Sequence, residues 1–314
     1  MEGPLVSVCC VAYNHAPYIR QALDGVLMQQ TDFPFEILVH DDASTDGTTD
    51  VIREYAAQYP NQIRPLYETE NQYSKDNRVF KNFIYPHAKG EYFALLECDD
   101  FWCDPRKLQK QVAYMEAHPD CSGTFHAANW LRGDRIIKND RHFSQEFDAT
   151  PAQVITGGGA FCHTSSLCFR REYAFDLPLF RQMDPIGDFS FEILLALRGK
   201  FHGFPEIMSC WRFSRPGSWT EKTAKSMENQ IRFNQKEIAE LQELDRYTNY
   251  LYSTEIYYQI SKDRCDLFSW GQIPFSEVKE SFSHMRMGHM KLSRMRRCYD
   301  RLLRKHCRWM KQKT

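Results

Sequence analysis

The sequence predicts an α/β fold: a mainly parallel central sheet flanked by helices, followed by a C-terminal helical extension. Three observations predict it. Short apolar runs alternate with helical patterns through the first half of the 314 residues, as parallel strands joined by crossover helices do. Two of those runs end in paired acids, Asp41-Asp42 and Asp99-Asp100, at the strand ends where such sheets gather their ligands. From about Glu221 glycine and proline become sparse and the pattern turns helical. The expected division is therefore a catalytic-type α/β domain over 1–220 and a helical extension over 221–314.

Leu5 to Val11 is a buried-strand run of β-branched and small residues. Pro17 opens a helical stretch carrying Ile19, Leu23, Val26 and Leu27. Phe35 to His40 reads as the second strand, and Ser44 and Asp46 as caps for a helix with Val51, Ile52, Tyr55 and Ala56. A short strand is expected at Ile63 to Tyr67 and a helical or turn segment at Asn82 to Ala88. Tyr92 to Leu96 is the next buried strand, with a helix from Pro105 to about Ala117. Beyond it the regularity weakens. Cys121 to Trp130 and Ser165 to Arg170 look like strands, Leu131 to Phe147 a polar excursion, and Asp188 to Leu197 a helix ended by Gly199.

Composition narrows the function classes. With 42% hydrophobic and 14% aromatic residues the chain is globular. It lacks an apolar run long enough to span a bilayer and a secretory leader. Eleven scattered cysteines include no CxxC pair, which points away from structural zinc and toward a reduced, cytoplasmic protein. Ala12-Tyr13-Asn14-His15 follows the first strand where a dinucleotide fold needs GxGxxG; GxxxxGK[ST], GxSxG and HExxH are also missing. The formal charge of -1 hides a split: from Arg286 onward there are eleven Lys/Arg against Asp300, and the preceding 285 residues carry 29 basic against 40 acidic side chains.

Adjacent carboxylates at a strand end repel unless a cation or hydrogen-bond donors lie between them. Hard divalent ions such as Mg²⁺ or Mn²⁺ take carboxylate oxygens and complete their shells with water and phosphate. Glu97, Asp99 and Asp100 place three acids within four residues after an apolar strand, which favours ligation. Asp41-Asp42 serves equally well as the start of a turn and a helix cap.

At these residues the chain resembles a family 2 glycosyltransferase of the GT-A fold, a Rossmann-like sheet. Leu5-Val6-Ser7-Val8 with Ala12-Tyr13-Asn14 is similar to that family's first strand and nucleotide loop. Asp41-Asp42-Ala43-Ser44-Thr45-Asp46-Gly47-Thr48 is similar to its DDGSTDGT segment, with Ala43 in place of glycine. Glu97-Cys98-Asp99-Asp100 matches the DxD segment, with Glu in place of the first Asp. The likeness continues through Lys107 to Gln111, His163 to Ser166 and Gly187-Asp188.

The resemblance implies a nucleotide-diphosphate sugar donor, expected to be UDP-linked, with its base over Ala12, Tyr13 and Asn14 and hydrogen-bonded to Asp42 or Asp41. Glu97 and Asp99 would line the nucleotide, and Asp99 and Asp100 would hold Mn²⁺ or Mg²⁺ on the diphosphate. Lys81 or Arg78, and Arg212 or Arg215, are the phosphate contacts to test, and Trp211 and Trp219 the candidate sugar-stacking rings. No histidine stands near Ser214, where many relatives carry one. Asp188 takes the position of the general base that deprotonates an acceptor hydroxyl in an inverting transfer. The acceptor class is a surface glycan or lipid-linked oligosaccharide. A nucleotidyltransferase and a catalytically inactive sugar-nucleotide or glycan-binding module are the alternatives.

From Met287 to Met310 apolar residues recur at helical spacing between basic ones. Such a stripe suits peripheral contact with the inner face of a membrane, packing on the acidic catalytic domain, or a homodimer. No nucleic-acid-binding module is present.

Overall fold

The computed structural model describes residues 3–279, apart from 77, 140–142, 160, 185–186, 214–216, 219–220, 222 and 224. The basic C-terminal stripe, Ser214, Arg215 and Trp219 lie outside the described residues. Contacts divide the chain into two units. The first holds Met1–Val154, Gly159–Asp176 and Ile186–Glu221; the second holds Ile155–Gly158, Leu177–Pro185 and the chain after Glu221. The first unit ends at Glu221, and two short pieces of the earlier chain join the second unit.

The first unit is built on ten strands: β1 (Val6–Ala12), β2 (Phe35–Asp41), β3 (Ile63–Tyr67), β4 (Tyr92–Glu97) and β5 (Phe101–Trp102). They are followed by β6 (Cys121–Arg132), β7 (Arg135–Asn139), β8 (Phe147–Ala149), β9 (Cys168–Arg170) and β10 (Lys200–Arg212). The sheet order is β3-β2-β1-β4-β9-β6-β10-β5, with β7 on β6 and β8 on β10. Neighbours among the first four strands are parallel, as are β6 and β10. The expected parallel pattern therefore holds there, while β9, β5, β7 and β8 add antiparallel pairings and make the sheet mixed. Val6, Val8, Cys9 and Cys10 are all fully buried. A strand covered on both faces therefore reads as an unbroken apolar run. Cys98 and Cys168 are also buried free thiols, acting as small hydrophobes.

Helices α1 (Ile19–Leu27), α2 (Thr48–Gln58) and α3 (Lys107–Ala117) flank the first strands, and α4 (Pro151–Gly157), α5 (Leu179–Met183) and α6 (Phe189–Arg198) follow. α1 lies directly on the β5 backbone because Gly25 has no side chain; a Cβ there would stand 2.6 Å from the Trp102 carbonyl oxygen. Gln29 then locks the corner. Its Nε2 donates to the Gly25 and Asp104 carbonyls (3.2 and 2.9 Å), and its Oε1 accepts from the Leu108 N–H (3.1 Å). Lys107 is fully buried beneath β5, its Nζ 4.0 Å from the Trp102 ring centroid and 2.7 Å from Gln111 Oε1. Burial pulls this ammonium down to about 7.

In the second unit α7 (Met227–Tyr247) and α8 (Ser253–Ser269) precede α9 (Phe275–Lys279). Ser226 caps α7, accepting from Asn229 N–H (3.2 Å). Leu241, Leu244, Ile256 and Ile260 are fully buried, which supplies the apolar contact that short helices need to persist. Among the described residues no helix is long and apolar enough to cross a membrane.

Candidate active site

The β1–α1 and β2–α2 loops are sewn together beyond the strand ends. Asn14 N–H donates to Ser44 Oγ (2.9 Å), Thr45 N–H to Asn14 Oδ1 (2.8 Å), His15 N–H to Thr48 Oγ1 (2.8 Å) and Ala16 N–H to Asp46 Oδ2 (3.0 Å). Asn14 and Ala43 both adopt the left-handed backbone region, with φ 54° and 60°. Asn tolerates it; Ala there costs about 1 kcal/mol, and this is the position where the family pattern has glycine. Ala12 ends β1 and its carbonyl accepts the Asp42 N–H (2.9 Å).

Asp41 and Asp42 are 2% and 1% exposed, and both hold the chain. Asp41 Oδ1 accepts from Ser44 N–H (3.1 Å), and its Oδ2 from the Thr49 hydroxyl (2.5 Å). Asp42 Oδ1 and Oδ2 accept the N–H groups of Gln72 (2.6 Å) and Tyr73 (3.0 Å), pinning the loop after β3. Half-exposed Tyr13 follows β1, Tyr67 ends β3 and Tyr73 follows β3, the two strands on either side of β2. Planar rings beside buried carboxylates suit a base with N–H donors on its edge.

The second acid pair is set differently. Cys98 N–H donates to the Val11 carbonyl and Asp100 N–H to the Glu97 carbonyl, each at 2.8 Å, closing a tight turn after β4. Asp100 is buried, while the Asp99 side chain is 16% exposed, with His15 Nε2 3.9 Å from its Oδ1. Burial, then Asp99, then Glu97 push the Asp100 carboxyl well above the usual carboxylate range; the Arg212 N–H on its Oδ1 (2.8 Å) opposes them. The Arg212 guanidinium lies 4.8 Å from the Tyr18 ring centroid and 4.9 Å from that of Phe101, and donates to the Asp99 carbonyl and Gln21 Oε1. Register places this arginine: β5 pairs Phe101 with Cys210 and Trp102 with Ser209, so β10 ends beside the turn.

Asp188 is the N-cap of α6 and accepts the Phe189 N–H at 2.7 Å; Gly187 (φ 104°) makes the preceding turn. Its charge reaches the buried Cys162 thiol, which is raised by burial, Glu192 and Asp188. The next residue, His163, stacks on Trp211 at 4.6 Å, and Trp211 adjoins Arg212. Trp211 also meets Trp130 edge-on at 4.5 Å and packs against Phe213. It is a member of an aromatic cluster, not a free-standing ring. Lys81 sits on the π-helical turn Phe80–Ile84. Arg78 is committed to Asp76, donating from Nε and Nη2 and pulling that carboxyl down to about 2. His15, Tyr18 and Gln21 are neighbours of the site that the sequence did not single out. No spacing signal links them to residues 99 and 212.

The Asp99–Asp100 turn fits a hard cation. A buried carboxyl crowded by two other acids gains from positive charge, and Asp99 offers an accessible oxygen. Among the described residues no cluster of three or more His, Cys, Asp or Glu is placed to hold an ion. Donor phosphates and water would have to complete any shell at the turn.

Comparison with known proteins identifies the family. The model of glycosyl transferase family 2 matches residues 7–176. An uncharacterised protein of Mycobacterium tuberculosis is 36% identical over 222 residues, 68% of this chain and 60% of the relative; the chain thus spans about 60% of that protein's length. The UDP-Glc:alpha-D-GlcNAc-diphosphoundecaprenol beta-1,3-glucosyltransferase WfaP of Escherichia coli is 34% identical over 114 residues, 36% of this chain and 41% of its own. Among solved structures, TarS 1-349 of S. aureus in complex with UDP-GlcNAc superposes with a TM-score of 0.62 at 17% identity, covering 89% of this chain and 79% of that one. It shares the fold.

Proposed function

Because the chain belongs to glycosyl transferase family 2, we propose that it is an inverting, metal-dependent glycosyltransferase. It takes a sugar from a nucleotide-diphosphate donor, with UDP the expected nucleotide, to a hydroxyl of a glycan or lipid-linked acceptor. The crowded Asp99–Asp100 turn beside Arg212 carries this reading. Asp99 and Asp100 would hold Mn²⁺ or Mg²⁺, which offsets charge developing on the departing diphosphate. Arg212, fixed between Tyr18 and Phe101, adds a cation at the same place. Tyr13 and Tyr73 would flank the base, with Asp42 and Asp41 at its edge, and Ala12 and Asn14 shape the loop beneath it. Glu97 would face the nucleotide side of the turn, and Lys81 the phosphates. The UDP-Glc in the WfaP name and the UDP-GlcNAc complex of TarS support the donor class, and the diphosphoundecaprenol in the WfaP name supports a lipid-linked acceptor.

Asp188 would accept the proton of the attacking hydroxyl. Its carboxylate stands at the N-cap of α6, and a carboxylate brought within reach of a hydroxyl can act as its general base. Asp188→Asn should abolish transfer while a UDP-sugar still raises the melting temperature in Mn²⁺. Retained turnover would remove Asp188 from the role, and absence of any sugar-nucleotide shift in the wild type would overturn the donor reading.

A further inference from the structure

β6 and β7 form an antiparallel ribbon at the edge of the sheet, turning through Gly133 (φ 59°) and Asp134, while the other side of β6 stays paired to β10 as far as Leu131. Arg132 pairs with Arg135 and Leu131 with Ile136, but Trp130 then pairs with Lys138, so Ile137 is an extra residue on one strand. A bulge of this kind interrupts the alternation that sends adjacent strand side chains to opposite faces. Ile136 is 61% exposed and Ile137 46%. Two adjacent β-branched aliphatics thus stand in water on a ribbon whose second strand is exposed throughout.

Cations surround them. Arg135 precedes the pair, Lys138 follows it, and Arg132 lies across the ribbon, with Asp134 the single acid among residues 131–139. Arg132 and Lys138 are placed by ring contacts, 5.4 Å from the Phe213 centroid and 4.4 Å from that of Trp130. A local excess of two positive charges therefore projects from a body that is otherwise acidic. Apolar side chains rimmed by fixed cations match the boundary of an anionic bilayer, where aliphatic groups leave water and basic groups meet phosphates. The free edge of β7 also offers backbone groups for strand addition. Paired isoleucines with basic flanks favour lipid over a peptide strand.

We propose that the β6–β7 ribbon is a membrane-contact element that seats Ile136 and Ile137 at the headgroup boundary of an anionic leaflet, with Arg132, Arg135 and Lys138 among the phosphates. The ribbon rises from Trp130, which packs on Trp211 beside Arg212, so contact would bring the acid turn near the leaflet. This deepens the lipid-linked acceptor reading above and rests on it for its catalytic meaning; the contact itself is independent of turnover.

The test uses the full chain with vesicles of phosphatidylglycerol and phosphatidylcholine, or of phosphatidylcholine alone, followed by amide hydrogen exchange. Anionic vesicles should slow exchange across 131–139, and the double variant Ile136→Ser/Ile137→Ser should weaken sedimentation with them by about tenfold. Arg135→Glu should weaken it further as salt rises less steeply in effect than for the wild type. Protection confined to residues 280–314, unchanged binding by the double variant, or no vesicle binding would each overturn the proposal. Loss of self-association instead of vesicle binding would assign the ribbon to a second copy and overturn it too. A UDP-sugar and Mn²⁺ thermal shift, equal in wild type and double variant, confirms an intact fold. Its absence in both would count against the donor reading and leave the vesicle result standing.

Discussion

Two acid pairs, each at the end of a parallel strand, look alike in sequence and do opposite things in the fold. Asp41 and Asp42 accept four hydrogen bonds between them from Ser44, Thr49, Gln72 and Tyr73. Those donors belong to the β2–α2 loop, the first turn of α2 and the loop after β3, which the carboxylates hold in place. Asp100 has one hydrogen-bond donor among the described residues, the Arg212 N–H, and burial with two neighbouring acids lifts its carboxyl. Buried carboxylates whose donors are already supplied act as scaffold; one left with excess negative charge calls for a cation. The two pairs thus differ in donor supply, a difference that the paired-acid motif alone does not show.

The largest expected effect tests the second pair. Asp100→Asn should lower metal-dependent transfer by at least ~100-fold, since the cation's hold on the leaving group is worth several kcal/mol. The same change should leave the melting temperature unchanged or higher, because a buried like-charge repulsion disappears. Asp42→Ala should behave in reverse, costing about 2 kcal/mol in urea unfolding as the Gln72 and Tyr73 N–H groups lose their acceptors. If Asp100→Asn proved the more destabilising of the two and kept its Mn²⁺ response, the contrast between the pairs would collapse. The smallest effect is at the join between them and the loop. Ala43→Gly should stabilise the protein by about 1 kcal/mol by removing left-handed strain, read from the same unfolding curves. A loss of stability there would mean that the Ala43 methyl makes a contact worth more than the strain.

The parallel half of the sheet was legible because β1, β2 and β4 are covered on both faces and so appear as continuous apolar runs. β10 was not. Its interior contains Gly203 and Pro205, residues that argue against a strand. The structure accommodates both: the β6–β10 register shifts between Phe204 and Ile207, where Pro205 lies, and a Cβ at Gly203 would stand 2.6 Å from the Phe125 ring. β5, two residues long, gives no periodic signal at all, and β7 and β8 fall inside the polar stretch Leu131 to Phe147 and its end. In the site, the acids and Arg212 could be named from their motifs. The pairing of Arg212 with Asp100 across 112 residues and the Tyr18–Arg212–Phe101 sandwich depend on β10 reaching β5, whereas the approach of His15 to Asp99 comes from β1 lying beside β4.

The aromatic surroundings of the acid turn have a practical consequence. Of the chain's six tryptophans, Trp102 lies two residues after Asp100, Trp211 adjoins Arg212, and Trp130 packs on Trp211. Half of the intrinsic fluorophores therefore report on one neighbourhood. Donor binding would register as a change in native emission, with no label attached, and replacing Trp102, Trp130 and Trp211 one at a time by Phe would divide that signal between the floor of the turn and the rim beside β10.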